Sequence, residues 1–546
     1  MDGAGLEIPE PARFLDEQTV AFAAVLIGRS AVAAGAEAAL ARRTGRPRSL
    51  PVRAVLAALL LLAMDDRPLH LTRVTDLLFR RLTPASAALL GITGTATSHH
   101  AFLAAYRRVR YCFHLICSTA DPSGLPKNRC LTPGELAAAS RPMAPQEATA
   151  ARDRLETLIN ALLEASVSVL HDAEQPTPGG GTGLDATAVP LFSRGPSRRT
   201  GRCASDPDGG WYVREGDHRD AEDHKGRRRT RIAWALEATI VTTARPPGQE
   251  RGHPNLAVGL ALTRPGEDPG GTGARVLASV AARGHRPGPL GADRAYTAAR
   301  AETFHLPVRA LGYSPVMDYR ADQLGIQANS GGALLVEGTW HCPAMPGPLI
   351  EATTDHRSAA ITSDLYAARI AARAPYRLTP KDRPDHDGYQ RLSCPAAGTH
   401  PRLICPLRAA SLTPRDGRAK ILDPPADPPR VCRQTAITIA PDVGARHRQD
   451  VPFATPAWQD RYATLRNTIE GLNGFVKDPA HQALAQPARR RIRGIAAQPV
   501  FTALLLMAAN LRKIRAWRTL TTQQHTTAAT RAQRRRTSLR DHQPHG

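Results

Sequence analysis

The chain has 546 residues, with 72 Lys and Arg against 49 Asp and Glu, and a formal net charge of +23. This length allows two to four domains with substantial cores, and the excess of positive charge favours a polyanion such as nucleic acid as partner. The most apolar runs, residues 52–64 and 500–511, are shorter than the roughly 18 residues that a membrane-spanning helix needs, so we expect no membrane partner.

Helical patterns dominate residues 1–170, which are predicted to form a helical N-terminal domain. Helices are expected at residues 14–27, directly after Pro51, at 71–82 and at 97–115. The last of these carries Arg107, Arg108 and Arg110 beside apolar residues, so that one face can pack while the other contacts phosphates, as in a helix-turn-helix reader. An ordinary basic surface helix explains the same pattern equally well.

Strand and helix patterns alternate along residues 183–312, which indicates an α/β unit with a mixed sheet. Strands are expected near residues 184–192, 230–243, 256–262 and 307–311, and helices near 273–284 and 297–304. Asp185 lies in the first of these strands, after a glycine-containing turn. Asp293 ends a further strand that begins at Pro289, so its carboxylate would project from the carboxyl end of that strand into a crevice.

Residues 313–457 are predicted to form a β-rich insertion with long loops. The 176 residues between Asp293 and Glu470 exceed what such an α/β unit needs, and alternating apolar residues with many Pro indicate short strands. The insertion contains Cys342, Cys394, Cys405 and Cys432. These could bind structural zinc, with His341 or His400 as substitutes, but none forms a Cys-x-x-Cys pair, so buried free thiols are the favoured interpretation.

A helix is predicted over residues 460–477, where apolar residues recur at helical spacing around Arg466, Glu470 and Lys477. Taken alone, a Glu between Arg and Lys on a helix is usually a solvated ion pair, and an Asp at a strand end is usually a cap or turn residue. The remaining units are residues 458–517, with a second helix near 499–517, and a basic tail, residues 518–546, that is expected to be disordered.

The three acids form a pattern that no single one of them provides. Asp185 and Asp293 on strands, followed by Glu470 on a helix, resemble the catalytic acids of the DDE transposases of bacterial insertion sequences. The resemblance covers roughly residues 50–517 and is sharp only around these acids.

The helix motif is the most specific part of the resemblance. Many members of the family carry an Arg, the catalytic Glu four positions later and a Lys seven positions after the Glu, and Arg466, Glu470 and Lys477 match this spacing. The family pattern also has a Tyr three positions before the Arg. Here that position is Ala463, and Tyr462 lies one place early, about 100° around the helix, so no role is carried over to it.

The resemblance implies a ribonuclease H-like fold, an α/β mixed sheet with flanking helices, preceded by a helical domain that binds the element's ends. Two Mg²⁺ ions, which Mn²⁺ can replace, would activate water and stabilise the departing 3′ oxygen of DNA. Asp185 would bridge both ions, and Asp293 and Glu470 would each help to hold one. Arg466 and Lys477 would orient the scissile phosphates.

The expected partners are double-stranded DNA, as element ends and as target, and a second copy of the chain in a homodimer on DNA. Eight Cys without close pairing and an acidic start, with Asp2, Glu7 and Glu10, predict a reducing cytoplasm, where the protein would associate with the nucleoid.

Two other functions remain open at this point: a DNA-binding protein derived from a transposase without full activity, and a metal-dependent nuclease without strand transfer. The catalytic assignment makes a geometric prediction. Asp185 and Asp293 should lie side by side on adjacent central strands, and Glu470 should face the same cleft, with the three carboxylates within about 10 Å of one another.

Overall fold

The computed structural model describes residues 14–39, 50–176, 179–215, 230–249, 252–413 and 417–540. Seventeen α-helices and fourteen β-strands lie in this described part of the chain. The protein therefore has a mixed α/β fold, as the alternating strand and helix patterns predict.

Within the described residues, eight α-helices precede the first strand. They are α1 Glu17–Arg29, α2 Val32–Ala39, α3 Val52–Met64, α4 Leu71–Arg80, α5 Pro84–Leu90, α6 His99–Ser118, α7 Pro133–Ala139 and α8 Pro145–Val167. The four helices expected in this region are confirmed as α1, α3, α4 and α6. Two of them begin with a side-chain cap: Asp16 accepts a hydrogen bond from the Thr19 N–H at the start of α1, and Ser98 accepts one from the Ala101 N–H at the start of α6.

The N-terminal helices share one hydrophobic core with the elements that follow. Helix α3 is buried along almost its whole length, and its leucines belong to the same cluster as Leu236 and Leu260 of the sheet. Phe113 of α6 packs against Phe501 of the C-terminal helix, with ring centroids 5.2 Å apart. These helices therefore share a hydrophobic core with the sheet, which α8 contacts directly at β4.

No single helix in the described part of the chain is long and apolar enough to cross a membrane. The pair Glu17–Arg29 and Val32–Ala38, bent by 63°, passes the length and composition test only when taken together. Val20, Ile27 and Val32 of this pair are buried in the protein core.

A six-stranded mixed sheet forms the centre of the molecule. Its strands are β1 Gly181–Pro190, β2 Gly210–Glu215, β3 Thr230–Ala244, β4 Ala257–Thr263, β5 Pro289–Ala292 and β6 Ser314–Val316. The order is β2-β3-β1-β5-β6, and β4 also pairs with β3. Strand β3 is antiparallel to β1, β2 and β4, whereas β1, β5 and β6 run parallel to one another. Strand β2 is absent from the sequence prediction.

Helices cover both faces of this sheet. After β4 come α9 Pro269–Ala282, α10 Arg294–Thr297, a π-helix Ala301–His305 and α11 Leu306–Ala310. The strand predicted near residues 307–311 is wrong, because this segment is helical and the strand follows at β6. A short apolar run fits either structure, and Pro307 lies in the first turn of α11, where a missing N–H is tolerated.

The insertion between β6 and the next long helix contains three small sheets. These are β7 Ile326–Ser330, β8 Ala333–Val336 and β9 Thr339–His341; β10 Thr379–Pro380, β11 Gln390–Ser393 and β14 Ala436–Ile439; and the pair β12 Leu403–Ile404 and β13 Ala419–Lys420. Four helices accompany them: α12 Gly347–Ile350, α13 Ala352–Arg357, α14 Ser363–Ala372 and α15 Arg430–Arg433. The prediction of a β-rich insertion therefore missed a substantial helical part.

Two long helices complete the chain, α16 Pro456–Lys477 and α17 Ala497–Arg540. The disorder predicted for residues 518–546 is wrong for residues 518–540, which continue α17, and residues 541–546 lie outside the described part. The physical reason is that no Pro or Gly interrupts residues 500–540, and Ala, Leu, Gln and Arg there favour a helix despite the positive charge.

Candidate active site

The two strand aspartates lie side by side at the centre of the sheet. Strands β1 and β5 are parallel neighbours, and Leu184 is paired with Ala292 in their register. Asp185 is the next residue of β1, and Asp293 directly follows the last residue of β5. Asp185 is partly buried, whereas the Asp293 side chain is 47% exposed. The predicted juxtaposition of these two acids is therefore present, with one carboxylate sheltered by the protein and the other open to solvent.

Glycines on the same sheet face allow α16 to approach the strands closely. A Cβ atom at Gly183 would lie 3.1 Å from Cβ of Ile469, and a Cβ atom at Gly291 would lie 2.5 Å from Cβ of Leu465. Side chains alternate between the two faces of a strand, so Asp185, two residues after Gly183, faces α16 as well. The glycines thus seat the helix directly over the sheet beside the aspartates.

Asn473 extends the contact from the helix to the first aspartate. Leu465, Ile469 and Asn473 are spaced four residues apart and share one face of α16. Asn473 Nδ2 donates a 2.8 Å hydrogen bond to Asp185 Oδ2, and the Ala186 N–H donates to Oδ1 at 2.9 Å. Sequence reasoning missed Asn473, although its position one helical turn after Glu470 was a usable signal.

Arg466 connects the third acid to the second. Its Nη2 donates a hydrogen bond to Glu470 Oε1, and its Nη1 lies 3.9 Å from Asp293 Oδ1. The guanidinium interacts electrostatically with Asp185 too. The Glu470 side chain is 54% exposed. One cation therefore interacts with all three carboxylates, and Glu470 faces the same side of the sheet as the two aspartates.

The two other residues of the helix motif differ in setting. Lys477, at the end of α16, is half-buried and acts electrostatically on Asp185, which it stabilises in the charged form. Tyr462 stacks on Trp458, with ring centroids 4.6 Å apart and an angle of 11° between the planes. Tyr462 therefore serves the packing at the start of α16.

The charge of Asp185 is unfavourable in this setting. Burial and the neighbouring Asp293 raise the pKa of Asp185 to about 6, against the lowering effect of the Ala186 N–H, Arg466 and Lys477. Two adjacent carboxylates of this kind have an excess of negative charge that a bound cation would relieve.

The donor atoms of the site suit a divalent metal such as Mg²⁺. Asp185 and Asp293 offer carboxylate oxygens, and Asn473 Oδ1 is buried without a hydrogen-bond partner among the described residues. Among the described residues, no group of three or more His, Cys, Asp or Glu side chains is already placed to hold a metal. Glu470 would therefore have to exchange Arg466 for the ion to complete a three-carboxylate site.

The raised pKa of Asp185 has a measurable consequence for stability. The folded state binds more protons than the unfolded state between the usual pKa of 3.8 and about 6, so ionisation destabilises the fold as pH rises through that window. We expect Asp185→Asn to raise the free energy of unfolding by about 1–3 kcal/mol at pH 7.5 in a chelator, and to have little effect at pH 4. Urea titrations at the two pH values measure this difference.

A matched control uses an exposed acid of the insertion. Asp423→Asn should leave the stability unchanged at both pH values, because Asp423 is exposed. A loss of stability in Asp185→Asn at pH 7.5, or an equal gain at both pH values, would contradict the electrostatic description of the site.

The arginines predicted to contact DNA from α6 fall into two groups. Arg107 and Arg110 are exposed, whereas Arg108 is partly buried, with its guanidinium 5.1 Å from the ring centre of Phe79. Helix α6 packs on α3 and α4, and no described contact joins these arginines to the three carboxylates. Two of the three are therefore available for a ligand on a second surface, and Arg108 contributes to packing.

Comparisons of the chain with protein-family models, with curated protein sequences and with solved structures found no match. Adjacent carboxylates next to a cationic helix can hold a metal ion and, beside it, an anionic substrate such as a phosphodiester.

Proposed function

We propose that this protein is a DDE transposase of a bacterial insertion sequence, an enzyme that cuts DNA at the ends of its element and joins the freed ends to target DNA. The observation that carries the proposal is the position of Asp185 on the central strand β1, beside Asp293 at the end of the adjacent strand β5, beneath the helix that bears Arg466 and Glu470. Nearly 300 residues of sequence separate Asp185 from Glu470. A shared catalytic role would explain why both lie at one site.

The strand order supports a ribonuclease H-like core. Leaving out β2, the sheet runs β4-β3-β1-β5-β6, with antiparallel pairing among β4, β3 and β1 and parallel pairing among β1, β5 and β6. One helix, α9, connects the antiparallel part to β5, and the helix with Glu470 comes after the last strand. This order of elements is the one that the resemblance to transposases implies.

In the proposed reaction, the acidic and the basic residues of the site would have different roles. Asp185 and Asp293, with Glu470, would hold Mg²⁺, and Asn473 would keep the Asp185 carboxylate in position through its hydrogen bond. The bound ions would supply an activated water and stabilise the departing 3′ oxygen. Arg466 would release Glu470 and contact a scissile phosphate, because a phosphate accepts the same paired N–H donors as a carboxylate.

The partners follow from charge and from the reaction. A net charge of +23 favours binding to double-stranded DNA, and the reaction requires both the element's ends and a target. Two ends have to be held together, so a homodimer on DNA is the expected active form.

The test is a gel assay with duplex DNA that carries the ends of the protein's own element, in the presence of Mg²⁺. Purified protein should nick the duplex at the element boundary and then produce strand-transfer products with a target plasmid. Cleavage without any transfer product would favour a metal-dependent nuclease. End binding without cleavage would favour a DNA-binding protein derived from a transposase.

The arginines of α6 provide a prediction on binding. Replacing both exposed residues in an Arg107→Ala/Arg110→Ala protein should weaken binding to DNA ends and reduce the slope of log affinity against log salt by about 2, because two phosphate contacts are lost. Arg108→Ala should instead lower the free energy of unfolding by about 0.5–1 kcal/mol, since its contact with Phe79 is lost. Fluorescence anisotropy at several salt concentrations and urea titrations measure the two effects.

The control for this prediction is Arg383→Ala, which removes an exposed Arg from the insertion. It removes one unit of positive charge. We expect the slope of log affinity against log salt in this variant to differ from the slope in the Arg107→Ala/Arg110→Ala protein. An unchanged slope in the Arg107→Ala/Arg110→Ala protein would show that α6 does not contact DNA.

A further inference from the structure

Three of the four cysteines of the insertion lie at corresponding places, directly after strands of its small sheets. Cys342 directly follows β9, Cys394 follows β11 and Cys405 follows β12, whereas Cys432 lies in α15. All four are free thiols. The three that follow strands are buried, with 6 or 7% of each residue exposed.

Three of these cysteines begin the same kind of turn. Each is followed by Pro, and in each case the N–H of the residue three positions later donates to the Cys carbonyl, at 3.1 Å for Cys342, 3.0 Å for Cys394 and 2.9 Å for Cys405. Pro in the second position favours a tight turn of this type. The turns also direct backbone N–H groups, those of Ala344 and Leu407, to the sulfur atoms of Cys342 and Cys405. Such N–H donors stabilise thiolate ligands.

The four thiols lie in the same part of the insertion. Cys342, Cys394 and Cys405 belong to a single buried cluster. Each of the four thiols is near enough to the other three for an electrostatic interaction between them, which holds for all the pairs in the set. Chain segments far apart in sequence therefore bring four thiols together, although none of them is paired within a Cys-x-x-Cys motif.

We propose that Cys342, Cys394, Cys405 and Cys432 bind one structural zinc ion through their four sulfur atoms. Four cysteine ligands match the tetrahedral coordination that Zn²⁺ adopts in structural sites, and thiolate ligands select zinc over magnesium. Within the described part of the chain no group of ligands is already in metal-binding geometry, so zinc binding would have to bring the thiols closer together.

A zinc ion bound by these cysteines would stabilise the insertion. Cys342 extends from the sheet β7-β8-β9, Cys394 from the sheet β10-β11-β14 and Cys405 from the pair β12-β13, so one ion would join all three sheets. These sheets have only two or three short strands each, and their apolar residues are divided between two small clusters. Small cores of this kind commonly need a metal or a disulfide for stability.

The full-length protein tests this inference without any measurement of DNA cleavage. Protein purified without chelator should contain one zinc ion per chain by elemental analysis, and replacement by cobalt should give the intense sulfur-to-metal absorption bands of a tetrahedral thiolate site. Removal of zinc with a strong chelator should lower the melting temperature, and readdition should restore it. Protein that contains no zinc after expression in zinc-supplemented medium, and gives no thiolate bands with cobalt, would overturn the proposal.

Variants assign the ligands. Cys342→Ser or Cys394→Ser should lower the zinc affinity by about tenfold or more and shift the cobalt bands, whereas Cys130→Ser, which alters an exposed cysteine outside the insertion, should leave both unchanged. If a Ser variant fails to fold, the cobalt spectrum and the number of thiols protected from alkylation in the wild-type protein decide the question. Four protected thiols that become reactive on chelation support zinc. Disulfides between these cysteines in the native protein would contradict it.

Discussion

Asp185→Asn is expected to abolish DNA cleavage while leaving the binding of element ends largely intact. The substitution keeps the size of the side chain and its hydrogen bond from the Ala186 N–H, but it removes the charge that would hold the metal ions. Metal ions contribute several kcal/mol to the stabilisation of charge in such transition states, so the cleavage rate should fall by roughly a thousandfold or more. Single-turnover cleavage of labelled end DNA measures the rate.

Two comparisons make this result specific. Asp423→Asn, at an exposed position of the insertion, should cleave at the wild-type rate. Asp293→Asn and Glu470→Gln should be as impaired as Asp185→Asn, because each removes one of the three carboxylates. A wild-type cleavage rate in the Asp185→Asn protein would exclude the proposed catalytic role of this site.

Gly291→Ala should both destabilise the protein and impair cleavage. The new methyl group would lie 2.5 Å from Cβ of Leu465, so α16 has to move away from β5. Overpacking of this kind costs about 1–3 kcal/mol in the free energy of unfolding. Arg466 and Glu470 move with the helix, and a displacement of about 1 Å at a catalytic group can reduce the rate by about a hundredfold.

Urea titration and the cleavage assay report the two effects separately. Gly134→Ala is the matched control, because nothing lies within 4 Å of the position of its new methyl group in α7. That control should be neutral or stabilising by up to about 1 kcal/mol, as expected for Gly→Ala in a helix. If Gly291→Ala matched the control in both assays, the close seat of α16 on the sheet would not be needed for the site.

The sequence was informative where the pattern was local and strongly periodic. The strands that carry or end at Asp185 and Asp293, and the helix that carries Glu470, could be predicted because each has a single apolar period bounded by a Gly or Pro signal. Their mutual arrangement required the resemblance to a family, since no local pattern specifies which strands become neighbours. The seat made by Gly183 and Gly291 became visible only through contacts with α16.

Other features escaped prediction for identifiable physical reasons. Residues 307–311 are a short apolar run that fits a strand or a helix, and tertiary packing decided for the helix α11. Residues 518–540 were assigned to disorder from their charge, although no Pro or Gly interrupts them and they continue a buried helix. The cysteines of the insertion form no Cys-x-x-Cys pair. Only the folded chain therefore shows that they lie near one another.

The most direct test of whether Asp185 and Asp293 together hold the catalytic metal is anomalous X-ray scattering from crystals soaked in Mn²⁺ in place of Mg²⁺. We expect manganese within bonding distance of carboxylate oxygens of both aspartates, with Glu470 turned from Arg466 toward the ion, and we expect that peak to be missing in Asp185→Asn crystals. Manganese bound only elsewhere, or no manganese between the two aspartates at saturating concentration, would contradict the assignment of Asp185 and Asp293 as metal ligands.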